Sequence, residues 1–417
     1  MMSTRNPCDT PTGLLAVDDA RRRVVDAIHP VEGFETLPLR SALGRVVFNP
    51  VISPVDVPPH RNSAMDGYAL NSQVLPADGD QIALRVVGTA WAGIPYEGRV
   101  APDQAVRIMT GAKVPNDCDT VLPQELVQID GNTIHIGHGH RVGANVRHPG
   151  EDVARGETIL SPGRRLQPAD LGLLASLGIA EVAVRRRIRI AFFSTGDELR
   201  APGEPLGDGQ IYDSNRYTLH GMLSRLGVDL IDLGCIRDRR PDVVAAFRAA
   251  AATADAVITS GGVSVGDADY VQETLSELGE VNFWKVAMKP GKPFAFGRLD
   301  HAWFFGLPGN PVAVMATFYQ LVLPALRRLA GEATSAPLTL KVPAAERLRM
   351  SPGRTDFQRG ILGHDEHGEL VVRSTGRQGS HVLSSMSLAN CFIVLPADCT
   401  GVEPGERVEV QPFEGLF

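Results

Sequence analysis

The sequence predicts a multidomain protein in which a central, doubly wound and mainly parallel α/β domain is combined with smaller β domains. Two observations support this fold class. The chain has 417 residues, which exceeds the size of one ordinary hydrophobic core. From about residue 188, apolar strand-like runs alternate with helical patterns, whereas residues 53–146 and about the last 80 residues carry short β-like runs divided by Gly, Pro and Asp.

The N-terminal region predicts a discontinuous helical domain. The segment "VDDARRRVVDAI" has a helical pattern, and a second helical segment, "PADLGLLASLG", follows much later in the chain. Short β-like runs between them, such as "QIALRVVG" and "NTIHIG", predict an inserted β domain at residues 53–146. We therefore expect the two helices to pack on each other, with residues 10–52 and 147–187 forming one domain.

Residues 188–335 predict the α/β domain. The run "RIRIAFFST" is followed by the helical pattern "SNRYTLHGMLSRLG", and "DAVITSGG" by "DADYVQETLSELG". Apolar strands that each precede a helix are typical of a parallel sheet covered on both faces. The longest apolar run, "PVAVMATFYQLVLPAL", contains polar residues and is shorter than the ~20 residues of a membrane span, so it predicts a buried helix. Residues 336–417 return to β patterns and predict a small β barrel.

The composition favours a protein that acts on small molecules in a reducing compartment. The net charge of -7 argues against nucleic acid or an anionic membrane as the main partner. The five cysteines are scattered and form no C-x-x-C, which fits neither a disulfide framework nor a thiolate metal site. The stretch "MMSTRNPCDTPTG" has no apolar core of the kind that a signal peptide needs. We therefore expect a cytoplasmic protein.

Acidic residues follow several of the predicted strands. Glu198 lies in "STGDEL", Asp238 in "CIRDRR", and both Asp267 and Asp269 in "SGGVSVGDADY". The carboxyl ends of parallel strands meet at one edge of a sheet, where ligands bind. Any one of these carboxylates could equally be a helix cap or a solvated charge. Several of them at one edge would repel one another without a cation, and oxygen ligands favour Mg²⁺.

Two turns at the same predicted edge are candidate anion-binding sites. The first, "SGGVSVGD", contains Gly261, Gly262, Ser264 and Gly266. Its glycines would let backbone N–H groups approach a phosphate at a helix N-terminus, although such a loop can also merely turn the chain. The second, "GLPGNPVA", contains Pro308 and Asn310. Asn310 as N-cap and Pro311 at the first helical position are also good helix-start chemistry by themselves.

Lysine is rare in this chain, yet it is concentrated in one segment. Of 41 Lys and Arg residues only five are lysine, and three of these, Lys285, Lys289 and Lys292, fall within "WKVAMKPGK". If "WKVAMK" forms one strand, Lys285 and Lys289 share a face on either side of Ala287, which leaves room for a ligand. A compact ammonium group suits a phosphate that must also be released. We therefore predict a phosphate site here; the alternative is a lysine-edged surface strand.

Nine motifs resemble those of a known family: "NSAMDGYA", "RIMTGAKVP", "GEDV", "FSTGDEL", "GDGQIYDSN", "SGGVSVGDADY", "MKPGKPFAFG", "GLPGNPVA" and "DFQRG". Together, and in this order over nearly the whole chain, they resemble the molybdopterin molybdotransferase family, which includes the bacterial MoeA proteins and the gephyrin E domain. The resemblance implies insertion of molybdate into adenylylated molybdopterin, with Mg²⁺ and release of AMP. It also implies an elongated homodimer whose active cleft lies between subunits, and a molybdopterin adenylyltransferase as a partner.

The resemblance also implies roles for individual residues. Its catalytic carboxylates fall on Asp66, Asp152, Glu198, Asp238 and Asp269, of which the last three are our candidate metal ligands. Its substrate contacts fall on Thr110, Arg147, Lys285, Lys289, Arg359 and Ser380. Two positions depart from the family pattern. Arg61 stands where an Asp is common, and His148 and Pro149 in "NVRHPGED" trim positive charge beside Arg147.

Two alternative functions stay open at this point. The same α/β fold carries molybdopterin adenylyltransferase activity, although those enzymes are usually a single small domain. A non-enzymatic scaffold, as in receptor clustering by the gephyrin E domain, would be expected to have a long linker or a fused second catalytic domain, and the sequence shows neither.

Overall fold

A six-stranded sheet lies at the centre of the α/β domain. The structure, a computed structural model, describes residues 13–77, 79–261, 269–333 and 336–413, with the backbone alone for residues 269–273. The strands of the sheet lie in the order Asp229–Ile236, Arg189–Thr195, Ala256–Ser260, Ala302–Leu307, Pro293–Leu299 and Gly279–Lys285. The first four are parallel and the last two are antiparallel additions. The sheet is therefore mainly parallel, as predicted.

Helices cover both faces of this sheet. Successive side chains along a strand point to opposite faces, and Phe192 and Phe193 accordingly enter two separate apolar cores. The first core is completed by the helices Ser214–Leu226 and Pro311–Thr317, and the second by Arg240–Thr253 and Asp269–Leu278. The prediction of a doubly wound domain is confirmed.

The long apolar run is a buried helix, as predicted. It consists of α-helix at Pro311–Thr317, π-helix at Phe318–Val322 and α-helix at Leu323–Leu329. Its length and mean hydropathy of 1.2 would suffice for a membrane span, but 78% of its apolar window is buried inside the protein. The polar residue Gln320 is satisfied within the fold, because its side-chain oxygen accepts a hydrogen bond from Arg21 Nη2 at 2.7 Å.

The helix Val17–Ala27 does not pack where the sequence led us to expect. Its buried residues Val17, Ala20 and Val24 join the first core of the α/β domain, against the helix Leu323–Leu329. The prediction that it packs on the second N-terminal helix is therefore wrong. A helical pattern identifies which face of a helix is buried. It carries no information on which element covers that face.

The second N-terminal helix, Pro168–Ser176, packs instead on a small sheet. Leu174 of this helix shares a core with Val182 and Val184, which lie on the strand Glu181–Arg185. The two-stranded sheets of this region pair Phe34–Pro38 with Glu181–Arg185, and Val51–Ile52 with Thr158–Leu160. A short 3₁₀-helix, Leu39–Ser41, lies in the chain between the strands Phe34–Pro38 and Val51–Ile52.

The inserted domain is built from β-strands, as predicted. Its six-stranded sheet has the order Thr120–Pro123, Gly67–Leu70, Gln104–Ile108, Ile82–Ala90, Thr133–Ile136 and Gln128–Asp130. Two short strands, Asn62–Ser63 and Val146–Arg147, pair where the chain enters and leaves the domain. The 3₁₀-helices Ser72–Val74 and Gln124–Leu126 connect strands.

The C-terminal domain is a small barrel. Its strands lie in the order Met288–Lys289, Thr355–His364, Cys391–Leu395, Arg407–Pro412 and Leu340–Pro343, and Leu370–Ser374 pairs with Thr355–His364. The barrel closes where Ala345 N donates to Val372 O at 2.8 Å. One short helix, Leu383–Leu388, lies outside the strands. The first strand comes from the α/β domain, which the sequence did not predict.

The segment "WKVAMK" is not one strand, and our prediction of one is wrong. Lys285 ends a strand of the central sheet, whereas Met288 and Lys289 pair with the C-terminal barrel. Between them the main chain bonds elsewhere: Leu15 N donates to Lys285 O at 2.8 Å, and Ala287 N donates to Leu15 O at 2.7 Å. The chain thus crosses from one sheet to another, which an alternating pattern cannot distinguish from a single strand.

Candidate functional site

A buried polar cluster lies at the carboxyl edge of the central sheet. Ser194 Oγ donates to Asp213 Oδ1 at 3.1 Å and lies 3.0 Å from Ser260 Oγ. Asp213 also caps the helix Ser214–Leu226 by accepting a hydrogen bond from Arg216 N at 3.1 Å. These bonds tie two neighbouring strand ends to a helix N-terminus, so they hold the edge on which the predicted carboxylates lie.

Glu198 and Asp238 lie on adjacent turns at this edge. Gly196 N donates to Ile236 O at 3.4 Å, and Asp238 N donates to Asp197 Oδ1 at 3.3 Å. Both predicted carboxylates are exposed, and within the described part of the chain neither forms an ion pair with Lys or Arg. Their role as metal ligands stays a prediction.

The predicted metal site is only partly within the described residues. Among those residues, no group of three or more His, Cys, Asp or Glu side chains is arranged to hold a metal ion. The predicted residues that lie outside the described part are Gly262, Ser264, Gly266, Asp267 and the side chain of Asp269, whose backbone begins the helix Asp269–Leu278. Glu198 and Asp238 offer exposed carboxylate oxygens, which is the donor chemistry that Mg²⁺ prefers, so they fit two positions of its coordination shell.

Gly261 begins the glycine-rich loop directly after the strand Ala256–Ser260. Its φ of +93° lies in the left-handed region, and a Cβ at this position would lie 3.0 Å from Thr195 O. Its N–H donates to Leu307 O at 3.2 Å. A glycine is thus required at this position by both conformation and close approach, and it lies against two neighbouring strand ends.

The three clustered lysines have different environments. Lys289 Nζ lies 3.0 Å from Asp356 Oδ2, and Asp356 is only 2% exposed. Lys285 and Lys292 are exposed, and neither forms an ion pair within the described residues. The structure therefore places one lysine in a cross-domain ion pair and leaves two at the surface, where they can meet a phosphate.

Within the described residues, Arg359 is a buried cation that forms no hydrogen bond to a carboxylate. Its side chain is fully buried, and its bonds go to neutral acceptors: Nε donates to Ser385 Oγ at 3.0 Å and Nη2 to Gly379 O at 3.2 Å. Nη1 has no hydrogen-bond partner in the part of the chain that the structure describes. Burial lowers the pKa of Arg359 to about 10, although nearby Asp356 opposes that shift. A buried guanidinium with an unused donor is chemically suited to an anion.

Ser380 and the "GLPGN" turn meet beside Arg359. Ser380 O accepts a hydrogen bond from Val312 N, in the first turn of the helix after "GLPGN", at 3.1 Å. Gly309 O accepts one from Asn215 Nδ2 at 2.7 Å. Asn310 occupies the N-cap position, but its side chain makes no cap hydrogen bond, so it remains available to a ligand. Pro308 lies within this turn and is buried.

The predicted residues of the inserted domain form a separate group. Asp66 Oδ1 accepts hydrogen bonds from Thr110 N at 2.7 Å and from Thr110 Oγ1 at 2.8 Å. These two bonds lower the pKa of Asp66. Arg147 is exposed and lies opposite Asn62 in a two-stranded antiparallel sheet. Asp152 is also exposed, and its main-chain N–H donates to Val57 O at 2.9 Å. Within the described residues, none of these side chains hydrogen bonds to the α/β domain.

The departures from the family pattern have local roles. Arg61 Nη1 donates to Cys118 O at 3.1 Å, and its Nη2 donates to Asn116 O at 3.4 Å, so this side chain holds a loop of the inserted domain. His148 N donates to Glu151 Oε2 at 2.9 Å, which closes the turn beside Arg147.

Sequence reasoning missed Asp213, Ser194 and Asp356. Asp213 lies in "GDGQIYDSN" and Asp356 in "DFQRG", two motifs whose resemblance was noted without a role for these residues. The sequence does not show that these two aspartates are buried: Asp213 is 3% exposed and Asp356 is 2% exposed. Each aspartate lies in a motif that is otherwise typical of a turn or a strand, and this is the signal that could have identified Asp213 and Asp356.

The sheet edge carries exposed carboxylates, and the C-terminal domain holds a buried guanidinium whose Nη1 has no hydrogen-bond partner within the described residues; together with the mainly parallel sheet, these features are typical of proteins that bind anionic small molecules. Three family models match the chain: "MoeA N-terminal region (domain I and II)" at residues 15–178, "Probable molybdopterin binding domain" at 191–328 and "MoeA C-terminal region (domain IV)" at 341–413. The chain therefore belongs to the MoeA family.

Curated relatives agree over the full length. A "Molybdopterin molybdenumtransferase" of Haemophilus influenzae is 44% identical over 406 residues, which cover 97% of this chain and 100% of the relative. A protein of the same name from Nostoc is 36% identical, covering 90% of this chain and 88% of the relative. The crystal structure of a molybdopterin biosynthesis MoeA protein from Pyrococcus horikoshii OT3 has a TM-score of 0.84 at 28% identity, covering 96% of this chain and 100% of that one.

Proposed function

We propose that this protein is a molybdopterin molybdotransferase, which inserts molybdate into adenylylated molybdopterin and releases AMP in molybdenum cofactor biosynthesis. The observation that carries the proposal is the fully buried Arg359, whose Nη1 has no partner among the described residues and whose Nη2 bonds to Gly379, the residue before Ser380. An oxyanion substrate would compensate its charge. The names of the full-length relatives support the same activity.

The residues of this chain would divide the work between two anionic substrates. Arg359 and Ser380 would bind molybdate, and the exposed Lys285 and Lys292 would bind the phosphates of the adenylylated pterin. Glu198 and Asp238, with Asp269, would hold Mg²⁺, which when bound offsets charge on the phosphoanhydride. A water oxygen would attack phosphorus, the anhydride P–O bond would break, and AMP would leave.

The test is an assay of AMP release. Purified protein is incubated with adenylylated molybdopterin, Mg²⁺ and molybdate, and AMP is measured by chromatography. We expect AMP release that depends on molybdate and stops when EDTA removes Mg²⁺. Formation of adenylylated molybdopterin from ATP and molybdopterin, without AMP release, would instead establish the adenylyltransferase alternative.

We also infer a homodimer whose cleft combines the inserted domain of one subunit with the α/β domain of the other. The separate position of the Asp66 and Thr110 group supports this arrangement, because no hydrogen bond joins those side chains to the α/β domain within the described residues. Sedimentation velocity tests the dimer itself. Retention of a molybdopterin adenylyltransferase on the immobilised protein would test the proposed partner.

We place this reaction in the cytoplasm. The cysteines within the described residues, Cys118, Cys235, Cys391 and Cys399, are all free thiols. Burial raises the pKa of Cys118 and of Cys391 to about 12, which keeps both protonated and unreactive. Free thiols are typical of a reducing compartment. Fractionation of cells that produce the protein is the direct test.

A further inference from the structure

Gln378 takes the place of a strand beside Arg359. The strand Leu370–Ser374 pairs with Thr355–His364 only as far as Ser374 opposite Gly360, so Arg359 has no strand partner on that side. The side-chain amide of Gln378 fills the gap. Its Oε1 accepts a hydrogen bond from Arg359 N at 2.8 Å, and its Nε2 donates to Arg359 O at 3.0 Å.

The same amide anchors the loop that follows the strand. Gln378 Nε2 also lies 2.9 Å from Ser374 Oγ, and Thr375 N donates to Arg359 O at 3.0 Å. The loop in turn contacts the guanidinium, because Arg359 Nη2 donates to the carbonyl oxygens of Arg377 at 3.4 Å and Gly379 at 3.2 Å. The Gln378 side chain therefore fixes the position of two segments, the main chain of Arg359 and the loop that contacts its guanidinium.

Ser385 holds the other side of the guanidinium. Its hydroxyl accepts a hydrogen bond from Arg359 Nε at 3.0 Å and donates to Val382 O at 2.6 Å. With Nε and Nη2 both bonded, Nη1 is the part of the guanidinium that has no partner. The bonds to Nε and Nη2 prevent rotation of the guanidinium, so the N–H donors of Nη1 keep one direction.

We propose that Gln378 and Ser385 are positioning residues for an oxyanion site at Arg359, a role that rests on the proposed function. Gln378 sets the distance between Arg359 and Ser380, because it lies on the loop that carries Ser380 to the helix beginning at Pro311. Nη1 is buried, so an oxyanion reaches it only when a neighbouring segment moves, and we assign that movement to this loop because it bonds to Nη2 of the same guanidinium. Gln378 then returns the loop to its register over the bound ion, and Ser385 keeps the guanidinium oriented toward it.

The test compares molybdate affinity among variants of the full chain, by calorimetry without the pterin. Gln378→Met keeps the side-chain size but removes all its hydrogen bonds, and we expect roughly tenfold weaker molybdate binding. Ser385→Ala should weaken binding, and Ser385→Thr, which keeps the hydroxyl, should restore it. The matched control is Gln411→Met, because Gln411 lies in the same barrel but its side chain bonds to Gln320 at 2.8 Å and not to Arg359 or to the loop beside it.

A second measurement separates positioning from general stability. In the AMP-release assay, Gln378→Met should raise the KM for molybdate and leave the KM for adenylylated molybdopterin unchanged. Wild-type affinity in folded Gln378→Met and Ser385→Ala, or an equal loss in Gln411→Met, would overturn the proposal. If Gln378→Met does not fold, Gln378→Asn, which is one methylene shorter, takes its place beside Ser385→Ala.

The two proposals fail in different ways. If the wild-type chain binds molybdate but releases no AMP, the proposed function is wrong and the comparison of Gln378 with Gln411 still decides the positioning role. If the wild-type chain binds no molybdate in either measurement, the oxyanion site and the role of Gln378 are both overturned.

Discussion

At the scale of single residues, the partner of each charged group determines what that group can do. Asp66 is an exposed carboxylate, yet two hydrogen bonds from Thr110 fix its orientation. Lys289 is bound to a buried aspartate, whereas Lys285, only four positions away, has no ion-pair partner within the described residues. Residues with the same predicted role therefore differ in how a substitution will affect stability and substrate binding.

The first prediction concerns Asp66 and pH. The main-chain N–H and the hydroxyl of Thr110 lower the pKa of Asp66, so its carboxylate stays ionised to lower pH than an ordinary aspartate. Thr110→Val removes the hydroxyl bond and should raise this pKa. If the reaction needs ionised Asp66, the acid limb of kcat/KM against pH moves to higher pH, with little change above pH 7. Thr110→Ser should keep the wild-type profile; an unshifted limb in Thr110→Val contradicts the prediction.

The second prediction separates two neighbouring lysines. Lys289→Met leaves Asp356, which is 2% exposed, without its cation. We expect the free energy of unfolding to fall by about 1–3 kcal/mol, below the cost of a fully buried pair because Lys289 is partly exposed. Asp356→Asn in the same chain should recover much of this loss. Lys285→Met should leave the melting temperature unchanged.

Lys285→Met should bind adenylylated molybdopterin more weakly, because Lys285 is an exposed lysine of the proposed phosphate site, and calorimetric titration measures this. Lys341→Met, at an exposed position of a barrel strand, is the control for removing one surface charge. Equal destabilisation by Lys285→Met and Lys289→Met would show that the ion pair with Asp356 has no special contribution.

At the scale of elements, the connection between the α/β domain and the barrel depends on one tight turn. The strand Met288–Lys289 leaves the central sheet and joins the barrel beside Thr355 and Asp356. The chain then returns through Gly291, which has a φ of +105°. A Cβ at this glycine would lie 2.5 Å from the Oγ1 of the buried Thr317. The turn therefore holds the lysine segment against the apolar helix.

The third prediction tests this turn. Gly291→Ala should lower the free energy of unfolding by about 1–3 kcal/mol, because its φ disfavours a side chain and because Thr317 must move. Gly353→Ala is the matched control, since Gly353 has a φ of +109° with no atom within 4 Å of the added Cβ. The free energy of unfolding of Gly353→Ala should fall only by the cost of placing a side chain at a positive φ.

Adding Thr317→Ala separates the two causes. Thr317 Oγ1 has no hydrogen-bond partner among the described residues, so its removal breaks none of the described bonds and relieves the contact with the new Cβ. Denaturant unfolding of the four chains of this double-mutant cycle should give a coupling energy that favours the double variant. A coupling of zero would show that the contact is not responsible.

At the scale of the whole molecule, the position of the inserted domain raises the question of which chain completes each cleft. Asp66 and Thr110 bond to each other, and Glu198 and Asp238 lie at the edge of the central sheet. The proposed dimer would bring the first pair from one subunit to the second pair of its partner. Two damaged subunits should then be able to complement each other.

The fourth prediction uses that complementation. Asp66→Ala and Asp238→Ala chains, each inactive alone, are mixed in equal amounts, unfolded and refolded. About half the dimers should be mixed, and each should carry one intact cleft of two, so AMP release should reach about a quarter of the wild-type rate. Differently tagged chains allow the mixed dimers to be isolated. Isolated mixed dimers without activity would place both residues in the same cleft and exclude the shared arrangement.

The sequence by itself determined the layered fold and the positions of candidate carboxylates after the strands of the central sheet. The alternation that sends Phe192 and Phe193 to opposite cores, and the positions of Glu198 and Asp238 after their strands, are local properties of the chain. Tertiary structure alone decided that the helix Val17–Ala27 packs on the α/β domain and that Lys289 pairs with Asp356, 67 positions away. Periodicity specifies which face of an element is buried, but the partner that covers a face or neutralises a charge is selected by packing between distant segments.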